Sequence, residues 1–396
     1  MKAAIGRREV LAKKMGKIKV QKTKSSQLKE ILIDKIINGG YQTGSKLPSE
    51  VDLMRQYEVS NTTLYKALTE LVHEEYIFRE KGKGTFVADY RRANKLKGKR
   101  IIGCLGMPAV VFAGYVFNEL CMGIQDAIRE NGYEMIFRMS HNNVEEEVQQ
   151  LEQLIDIVDG LIMVPSSMAN TSDLTMAALL KFQERQIPFV LIDHYIKRLN
   201  CNYVVTDNFA GMYAAVAHLA KLGYKSITLL ACDDWNCLTS AVDRKRGYEQ
   251  AIKDFNIGGS LRNEAETIIF LPRDLYSNSA YERVVERILK VSDKPAAVAA
   301  TEYHLAIGVI EAALRMGLKV PEELSVTGFD KYQIPGHSPS IKMTTVIQPM
   351  YDIGRKAINI LTDNIENGVK AAEKVAFPSQ LVIGESCGAG LVASQP

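Results

Sequence analysis

Absences narrow the possibilities first. The six cysteines (Cys104, Cys121, Cys201, Cys232, Cys237 and Cys387) contain no Cys-x-x-Cys motif and no dense framework, which argues against a disulfide scaffold. They read as reduced thiols of a cytosolic protein, with Cys232 and Cys237 the one spacing that admits a structural or redox pair. Cysteines and the six histidines show no zinc-ligand spacing, so no metal or other cofactor is expected. The N-terminus has no apolar core of the kind a secretory signal needs, and no later stretch is long and apolar enough to span a membrane. Also missing are a Gly-x-Gly-x-x-Gly after a strand, a P-loop, a Gly-x-Ser-x-Gly elbow and a His-Glu-x-x-His pair. The common nucleotide, hydrolase and metalloprotease chemistries are therefore not expected, and no enzyme is predicted.

Acidic residues are scarce at one end only. The 396 residues carry a formal charge of +3, but residues 1–100 hold 23 Lys+Arg against 11 Asp+Glu, and the remainder 26 against 35. A charge of +12 followed by −9 predicts that the first part meets a polyanion and the second does not. With 46% apolar residues the chain is otherwise ordinary for a globular protein, and too long for one typical domain. Residues 1–24 hold nine cations and one acid, a flexible basic arm able to lie along nucleic acid or a plain solvated tail. Met15 is a second candidate start, which leaves residues 1–14 open. Residues 25–88 read as a compact basic domain, 89–99 (polar and basic, with little to bury) as a linker, and 100–396 as a larger second part.

The stretch Gly44–Val87 organises the basic part. Leu28, Ile31, Leu32 and Ile36 first predict a helix stopped at Asn38-Gly39-Gly40. Ser49, with Asp52 three residues on, marks an N-cap, and Leu53 and Tyr57 give that helix its apolar side. After a turn at Glu58-Val59-Ser60, Ser60 can cap a second helix whose Leu64, Ala67, Leu68 and Leu71 face a core. Its other face, Thr62, Tyr65, Lys66 and Thr69, is polar and free of acids. Residues 76–81 and 85–87 then read as strands flanking Gly82-Lys83-Gly84, a glycine turn with a cation at its tip. Such a face fits the major groove of DNA and such a hairpin a phosphate or minor groove, although a small helical domain with a solvated face has the same spacings.

Leu47-Pro48-Ser49-Glu50, Val59-Ser60-x-Thr62-Thr63-x-x-x-Ala67-Leu68 and Gly82-x-Gly84-Thr85-Phe86-Val87 resemble the signature of the GntR family of bacterial regulators. The resemblance covers residues 25 to 87 and implies a winged helix-turn-helix. The surface it implies for double-stranded operator DNA comprises Ser49, Glu50, Ser60, Asn61, Thr62, Thr63, Tyr65 and Lys66, with Lys81, Gly82, Lys83, Gly84 and Thr85 of the hairpin. The chain departs from the family at Val51, usually arginine, and at Asn61 and Tyr65, which replace two arginines. Arginine is the usual reader of guanine and asparagine pairs best with adenine, so an operator unlike the commonest family sequence is expected.

From Arg100 the texture changes to strands and helices alternating at roughly 30-residue spacing. Strands are predicted over 101–105, 133–139, 160–164, 188–192, 226–231, 267–270, 296–300 and 325–328. The helices between them run through Leu120, Ile124 and Ile128 and over 144–157, 174–184, 211–222, 244–254, 279–291 and 305–316. This is an α/β pattern of parallel sheets covered on both faces, and so many elements make two lobes the economical reading. Ligands then sit at the carboxyl ends of strands, in the cleft between lobes.

Val205-Thr206-Asp207-Asn208-x-x-Gly211, His218-Leu219-x-x-Leu222-Gly223-Tyr224, Arg244-x-x-Gly247-Tyr248, the run from Val320-Pro321 to Gly328-Phe329-Asp330, and Thr344-Thr345-Val346 resemble the effector domain of LacI/GalR repressors. Joined to a GntR-type head, this domain is the combination seen in arabinose-responsive repressors of Gram-positive bacteria. The resemblance implies a periplasmic-binding-protein-like domain crossing between lobes near 194–206, 330–345 and the C-terminus. A helix over 352–364 would belong to the first lobe and a strand near 381–384 to the second.

The resemblance also assigns ligand residues. Arg244 matches the arginine that reaches the effector, where a guanidinium fork takes two hydroxyls or a carboxylate; otherwise it is one exposed cation of Asp243-Arg244-Lys245-Arg246. Asp330 matches the acid that accepts from sugar hydroxyls, here followed by Lys331 where a second acid is common. Glu302 and Tyr303 stand where asparagine and aspartate are usual, so the pocket should prefer hydroxyl donors or a cation. Trp235 can stack on a sugar or cover a lobe edge. Tyr115 and Phe117, expected in the loop after the first sensor strand, are further candidates, and Asp207 is either a ligand residue or a helix cap. His218 and His304 read as structural.

The expected protein is a cytoplasmic, homodimeric repressor that reads palindromic half-sites and is released by a monosaccharide, with arabinose, fucose or rhamnose foremost. A purine or amino-acid effector is the alternative, and a sugar carrier or an enzyme with a vestigial head a more distant one.

Overall fold

The computed structural model describes residues 23–37, 40–74, 76–88, 100–106, 110–257, 267–272, 277–292, 295–331 and 341–392. The basic arm, except for its last two residues, and the linker 89–99 lie outside the described residues. The chain divides into two units, with the boundary between Lys99 and Arg100.

In the first unit, α1 (Lys24–Ile37) packs across α3 (Asn61–His73), with α2 (Glu50–Tyr57) between them in sequence. Ser49 Oγ accepts from Asp52 N (3.2 Å) to cap α2, and Ser60 Oγ accepts from Thr63 N (3.3 Å) to cap α3. Each cap satisfies a helix N–H that has no partner within its helix, and this fixes where the helices start. Between them Glu58 adopts φ 49°, the left-handed value that breaks α2 sharply. Leu64, Ala67, Leu68 and Leu71 are buried, as are Leu28, Leu32 and Ile36 of α1; Ile31 faces out instead. Strands β1 (Ile77–Glu80) and β2 (Gly84–Val87) pair antiparallel from Ile77↔Val87 to Glu80↔Gly84. Their three-residue turn places Gly82 at φ 79° and Gly84 beyond it at φ 123°, positions that need glycine. The sequence did not suggest a third partner, but Leu47 N donates to Thr85 O and Val87 N to Ser45 O, both at 2.9 Å.

The second unit is built on two six-stranded sheets. The first contains β3 (Ile101–Leu105), β4 (Glu134–Arg138), β5 (Gly160–Met163), β6 (Phe189–Ile192) and β7 (Asn202–Thr206), completed by β13 (Lys374–Phe377) in the order β13-β7-β6-β5-β3-β4. The second contains β8 (Ile227–Cys232), β9 (Ile268–Leu271), β10 (Ala296–Ala300), β11 (Leu324–Phe329), β12 (Thr344–Ile347) and β14 (Gln380–Val382) in the order β14-β12-β11-β10-β8-β9. Every pairing in the two sheets is parallel except β12 with β14.

Helices cover both faces. They are α4 (Val110–Glu130), α5 (Val144–Leu154), α6 (Asp173–Glu184), α7 (Asn208–Lys221), α8 (Thr239–Asp254), α9 (Asn278–Val291), α10 (Tyr303–Arg315) and α11 (Met350–Asn367), with a short α12 (Ala389–Val392) near the end. The two-sidedness is legible in β10, where Ala296, Val298 and Ala300 pack with Val285, Ile288 and Val309. The alternate residues Ala297 and Ala299 pack with Met212, Val216 and Tyr248. A strand buried on both faces has no polar alternation, which is why these strands read as continuous apolar runs.

The chain crosses between lobes later than expected. Strand β7 still belongs to the first sheet and β12 to the second, so the crossings fall at Asp207–Asn208, at Gln348–Pro349 and at Pro378–Ser379, rather than over 194–206 and 330–345. The missed strands β7, β12 and β13 are short segments of four or five residues. They become strands by pairing with neighbours, β7 and β12 on both sides and β13 at an edge, rather than from a pattern of their own. Helix α4 also starts earlier than its apolar spacing suggested, so Tyr115 and Phe117 lie in a helix and not in a loop. Their side chains are outside the described residues.

Helices α4 and α11 approach backbone to backbone. A Cβ at Gly123 would stand 2.1 Å from Tyr351 O, and one at Gly354 would stand 2.6 Å from Leu120 O. Gly354→Ala is therefore expected to cost about 1–3 kcal/mol by overpacking, read as a lower urea midpoint at unchanged slope. An unchanged midpoint would mean that the two helices can separate freely.

Candidate nucleic-acid face and ligand cleft

On the first unit, Asn61, Thr62, Tyr65 and Lys66 are exposed along one side of α3. Ser49, Ser60 and Thr63 are spent on capping: Ser49 Oγ also donates to Asp52 Oδ2 (2.6 Å), and the Ser60 and Thr63 hydroxyls meet at 2.9 Å. Glu50 pairs with Arg79 Nη2 at 3.3 Å, and the Arg79 guanidinium lies 5.4 Å from the centre of the Tyr65 ring. Arg79 thus joins this face, a placement sequence reasoning missed. Its outward position on β1 was the available signal. At the hairpin turn Lys81, Gly82 and Lys83 are exposed, and Thr85 is half-buried beyond Gly84. Lys83 touches Glu80 at 3.1 Å, an exposed pair worth little and easily exchanged for a phosphate.

In the second unit, residues that follow strands of both sheets come together where a cleft between the lobes is expected. Arg244, on α8, is 6% exposed and so is not a surface cation of its charged run. Its Nε donates to Asn208 Oδ1 (2.8 Å), its Nη1 to Thr301 O (2.7 Å), and its guanidinium stacks 3.7 Å from the centre of the Phe329 ring. Asn208, first residue of α7, is itself held by donating Nδ2 to Thr206 O. Asp330 follows β11 in a left-handed conformation (φ 72°) and is buried. Its Oδ1 accepts from Gln348 Nε2 at 2.7 Å, and its backbone oxygen from Thr345 Oγ1 at 2.6 Å. Burial pushes the Asp330 carboxyl up to about 6, against the opposing pull of Arg244 and Gln348. Glu302, just after β10, accepts from Cys232 Sγ at 3.2 Å and stands near enough to Asp330 to disfavour its charge.

The opposite wall comes from the end of β6. Asp193 (φ 68°) also pushes the Asp330 pKa upward from across the cleft. Beside it His194 is buried, with Nδ1 2.9 Å from Asp193 Oδ2 and Nε2 without a hydrogen-bond partner among the described residues. The two lobes touch here: Tyr195 N donates to Thr239 Oγ1 (3.0 Å), and Asn170 Nδ2 reaches both Tyr195 O (3.0 Å) and Cys237 O (3.1 Å). Sequence reasoning missed Asp193, His194, Asn208 and Gln348. The strand-end rule applied to β6 would have found the first two.

The remaining candidates are spread around this centre. Trp235 stacks on Phe270 at the end of β9 (centroids 5.8 Å, 15°), with Lys245 Nζ 5.0 Å from its ring. Asp207 Oδ1 accepts from Ala210 N (2.9 Å) and caps α7. Cys232 and Cys237 form no disulfide.

Comparison with known proteins agrees with both halves of this geometry. Residues 24–87 match the family model of bacterial regulatory proteins of the gntR family, and residues 216–387 that of the periplasmic binding protein-like domain. The chain joins a GntR-type DNA-binding domain to a periplasmic-binding-protein-like domain. It is similar to the arabinose metabolism transcriptional repressor of Geobacillus stearothermophilus (26% identity, covering 91% of this chain and 96% of the relative). It is also similar to that of Halalkalibacterium halodurans (28%, covering 92% and 96%). Among solved structures it resembles the transcriptional regulator CelR in complex with cellobiose (18% identity, TM-score 0.61, covering 89% and 94%), a likeness of fold. Such a regulator has the make-up of a ligand-responsive DNA-binding protein, and no described helix is long and apolar enough to cross a membrane.

The raised pKa of Asp330 makes a signed prediction for the regulator. A carboxyl whose folded pKa exceeds its unfolded value stabilises fully below about 4, and the contribution is lost as pH rises to about 6. The stability of wild type relative to Asp330→Asn should therefore fall between pH 4 and 6 and stay flat above. A flat difference throughout, in paired thermal melts, would place the pKa at its ordinary value.

Proposed function

We propose that this regulator represses a carbohydrate-use operon and leaves its operator when a monosaccharide enters the interlobe cleft. The observation that carries this reading is the buried Arg244 fork, fixed by Asn208 and Thr301 beside the buried acceptor Asp330. A polyol presents neighbouring hydroxyls that can both accept from a guanidinium and donate to a carboxylate, which matches this donor–acceptor pair. Glu302 adds a second acceptor, and Asp193 with His194 supply the first-lobe wall. The Trp235 ring covers the cleft edge from its stack on Phe270, Asp207 acts through the α7 cap, and Tyr115 and Phe117 stay candidates on sequence grounds. In this reading they are anchors for binding and carry no reaction step, in keeping with relatives named as transcriptional repressors.

In this reading the DNA surface is the α3 face with Ser49, Glu50, Ser60, Asn61, Thr62, Thr63, Tyr65 and Lys66. The hairpin adds Lys81, Gly82, Lys83, Gly84 and Thr85, and Arg79 is a further member. One head touches too little DNA for tight specific binding, so a cytoplasmic homodimer reads palindromic half-sites. The effector acts only through its differential affinity for two lobe arrangements, and release requires tens- to hundreds-fold coupling. Arabinose is the first sugar to test because two relatives bear its name.

A thermal-unfolding panel of pentoses, hexoses, deoxyhexoses such as fucose and rhamnose, and sugar phosphates should give a shift with one neutral monosaccharide. Saturating ligand at a hundred times its Kd adds about 2.7 kcal/mol. Arg244→Ala should abolish that shift while operator DNA stays bound. A shift from a purine or an amino acid alone would overturn the sugar. Lys66→Ala and Lys83→Ala should weaken operator binding and lower its salt slope by about one for each phosphate no longer neutralised, with the ligand shift intact. Unchanged operator affinity in both would remove that face from the interface.

A further inference from the structure

Strands β8 and β10 are neighbours with Leu230 opposite Ala300, so two residues further along each strand the register brings Cys232 and Glu302 together. Cys232 Sγ and Glu302 Oε1 lie 3.2 Å apart, and the other carboxylate oxygen lies 3.5 Å from His304 Nδ1 on the first turn of α10. One donor atom of each of the three residues lies within 4.8 Å of the other two. Cys232 is buried behind the other two, and the Glu302 and His304 side chains are 20% and 32% exposed.

We propose that Cys232, Glu302 and His304 form a binding site for a transition-metal dication of the zinc class. The donor set carries the choice of ion. One sulfur, one imidazole nitrogen and one carboxylate oxygen suit borderline-soft Zn²⁺, Co²⁺ or Ni²⁺, whereas Mg²⁺ and Ca²⁺ prefer oxygen alone. Two ligands bound at about 2.0–2.3 Å to a tetrahedral ion stand about 3.3–3.8 Å apart, near the 3.2 Å and 3.5 Å of the two pairs made by Glu302. Side-chain adjustment that brings all three donors, now within 4.8 Å of one another, to that spacing would admit the ion. Without metal, the Cys232 thiol donates a hydrogen bond to Glu302 Oε1. On binding, that proton leaves to water, a sulfur–metal bond forms, and Glu302 and His304 each donate a lone pair with no change of oxidation state. Three protein ligands leave a fourth position open to water or a hydroxyl group.

The site extends the reading of the cleft and does not depend on which effector the cleft takes. It was hidden in the sequence because its sulfur ligand lies 70 residues before Glu302.

The test is titration of the reduced, chelator-stripped full-length chain with Co²⁺. Saturation at one Co²⁺ per chain is expected, with a near-ultraviolet thiolate-to-cobalt band that Zn²⁺ bleaches. Cys232→Ser should lose the band, Cys387→Ser should keep it, and His304→Gln should weaken binding at least about tenfold. Absence of a saturable band, or an equal band in Cys232→Ser, overturns the site. If Cys232→Ser does not fold, the partly exposed His304→Gln decides: unchanged Co²⁺ affinity there is equally fatal. Operator binding by His304→Gln should stay normal, which separates failure of the metal site from failure of the regulator.

Discussion

The sensor domain depends on one buried cation. Arg244 is out of water, and a lone charge there would be costly. What makes it tolerable is its setting: a side-chain oxygen from α7, a backbone oxygen just after β10, the face of Phe329 at the end of β11, and the carboxyl of Asp330 nearby. Elements far apart in sequence must all be in place for those partners to exist. The same partners leave the guanidinium at the carboxyl ends of the strands, where a ligand can share it. In the proposed reading, structural demand and ligand recognition fall on one group.

Asp330 and Asp193 express the complementary constraint. Both are non-glycine residues in the left-handed region, both follow a strand, and they come from opposite lobes. Such backbone is held in place by its surroundings and clusters where ligands bind. Burial is the main upward push on the Asp330 carboxyl, and the nearby charge of Asp193 adds to it, so a proton or a hydrogen-bond donor beside Asp330 is favoured. In the proposed reading, a polyol that donates hydroxyls to these acids would favour closing of the lobes around it. The three crossings at Asp207–Asn208, Gln348–Pro349 and Pro378–Ser379 are where the backbone would absorb that movement.

Local chemistry made much of this legible beforehand. Ser49 and Ser60 cap the helices they were expected to cap, and Leu64, Ala67, Leu68 and Leu71 are the buried stripe of α3. The strand–helix rhythm pointed to the two-lobed α/β class because doubly covered parallel strands have an apolar signature of their own. Strands β7, β12 and β13 escaped because they are short and their pairing partners, not a pattern of their own, make them strands. The lobe crossings were consequently drawn too early. Tyr115 and Phe117 were assigned to a loop because the apolar spacing that marked α4 begins only at Leu120.

Most of the elements, the Ser49 and Ser60 caps, the charge division between the two parts and the motif residues Arg244 and Asp330 follow from the order of amino acids alone. These are properties of neighbours along the chain, fixed by spacing and local hydrogen bonding. What stands beside those residues is settled by packing in three dimensions. Asn208 and Gln348 meet them through the crossings, Asp193 and His194 face them from the other lobe, and Arg79 leans on Tyr65 across the hairpin. Cys232 meets Glu302 only because two parallel strands share a register. Parallel pairing joins residues tens of positions apart, and no periodicity in a single sequence encodes which pairs those will be.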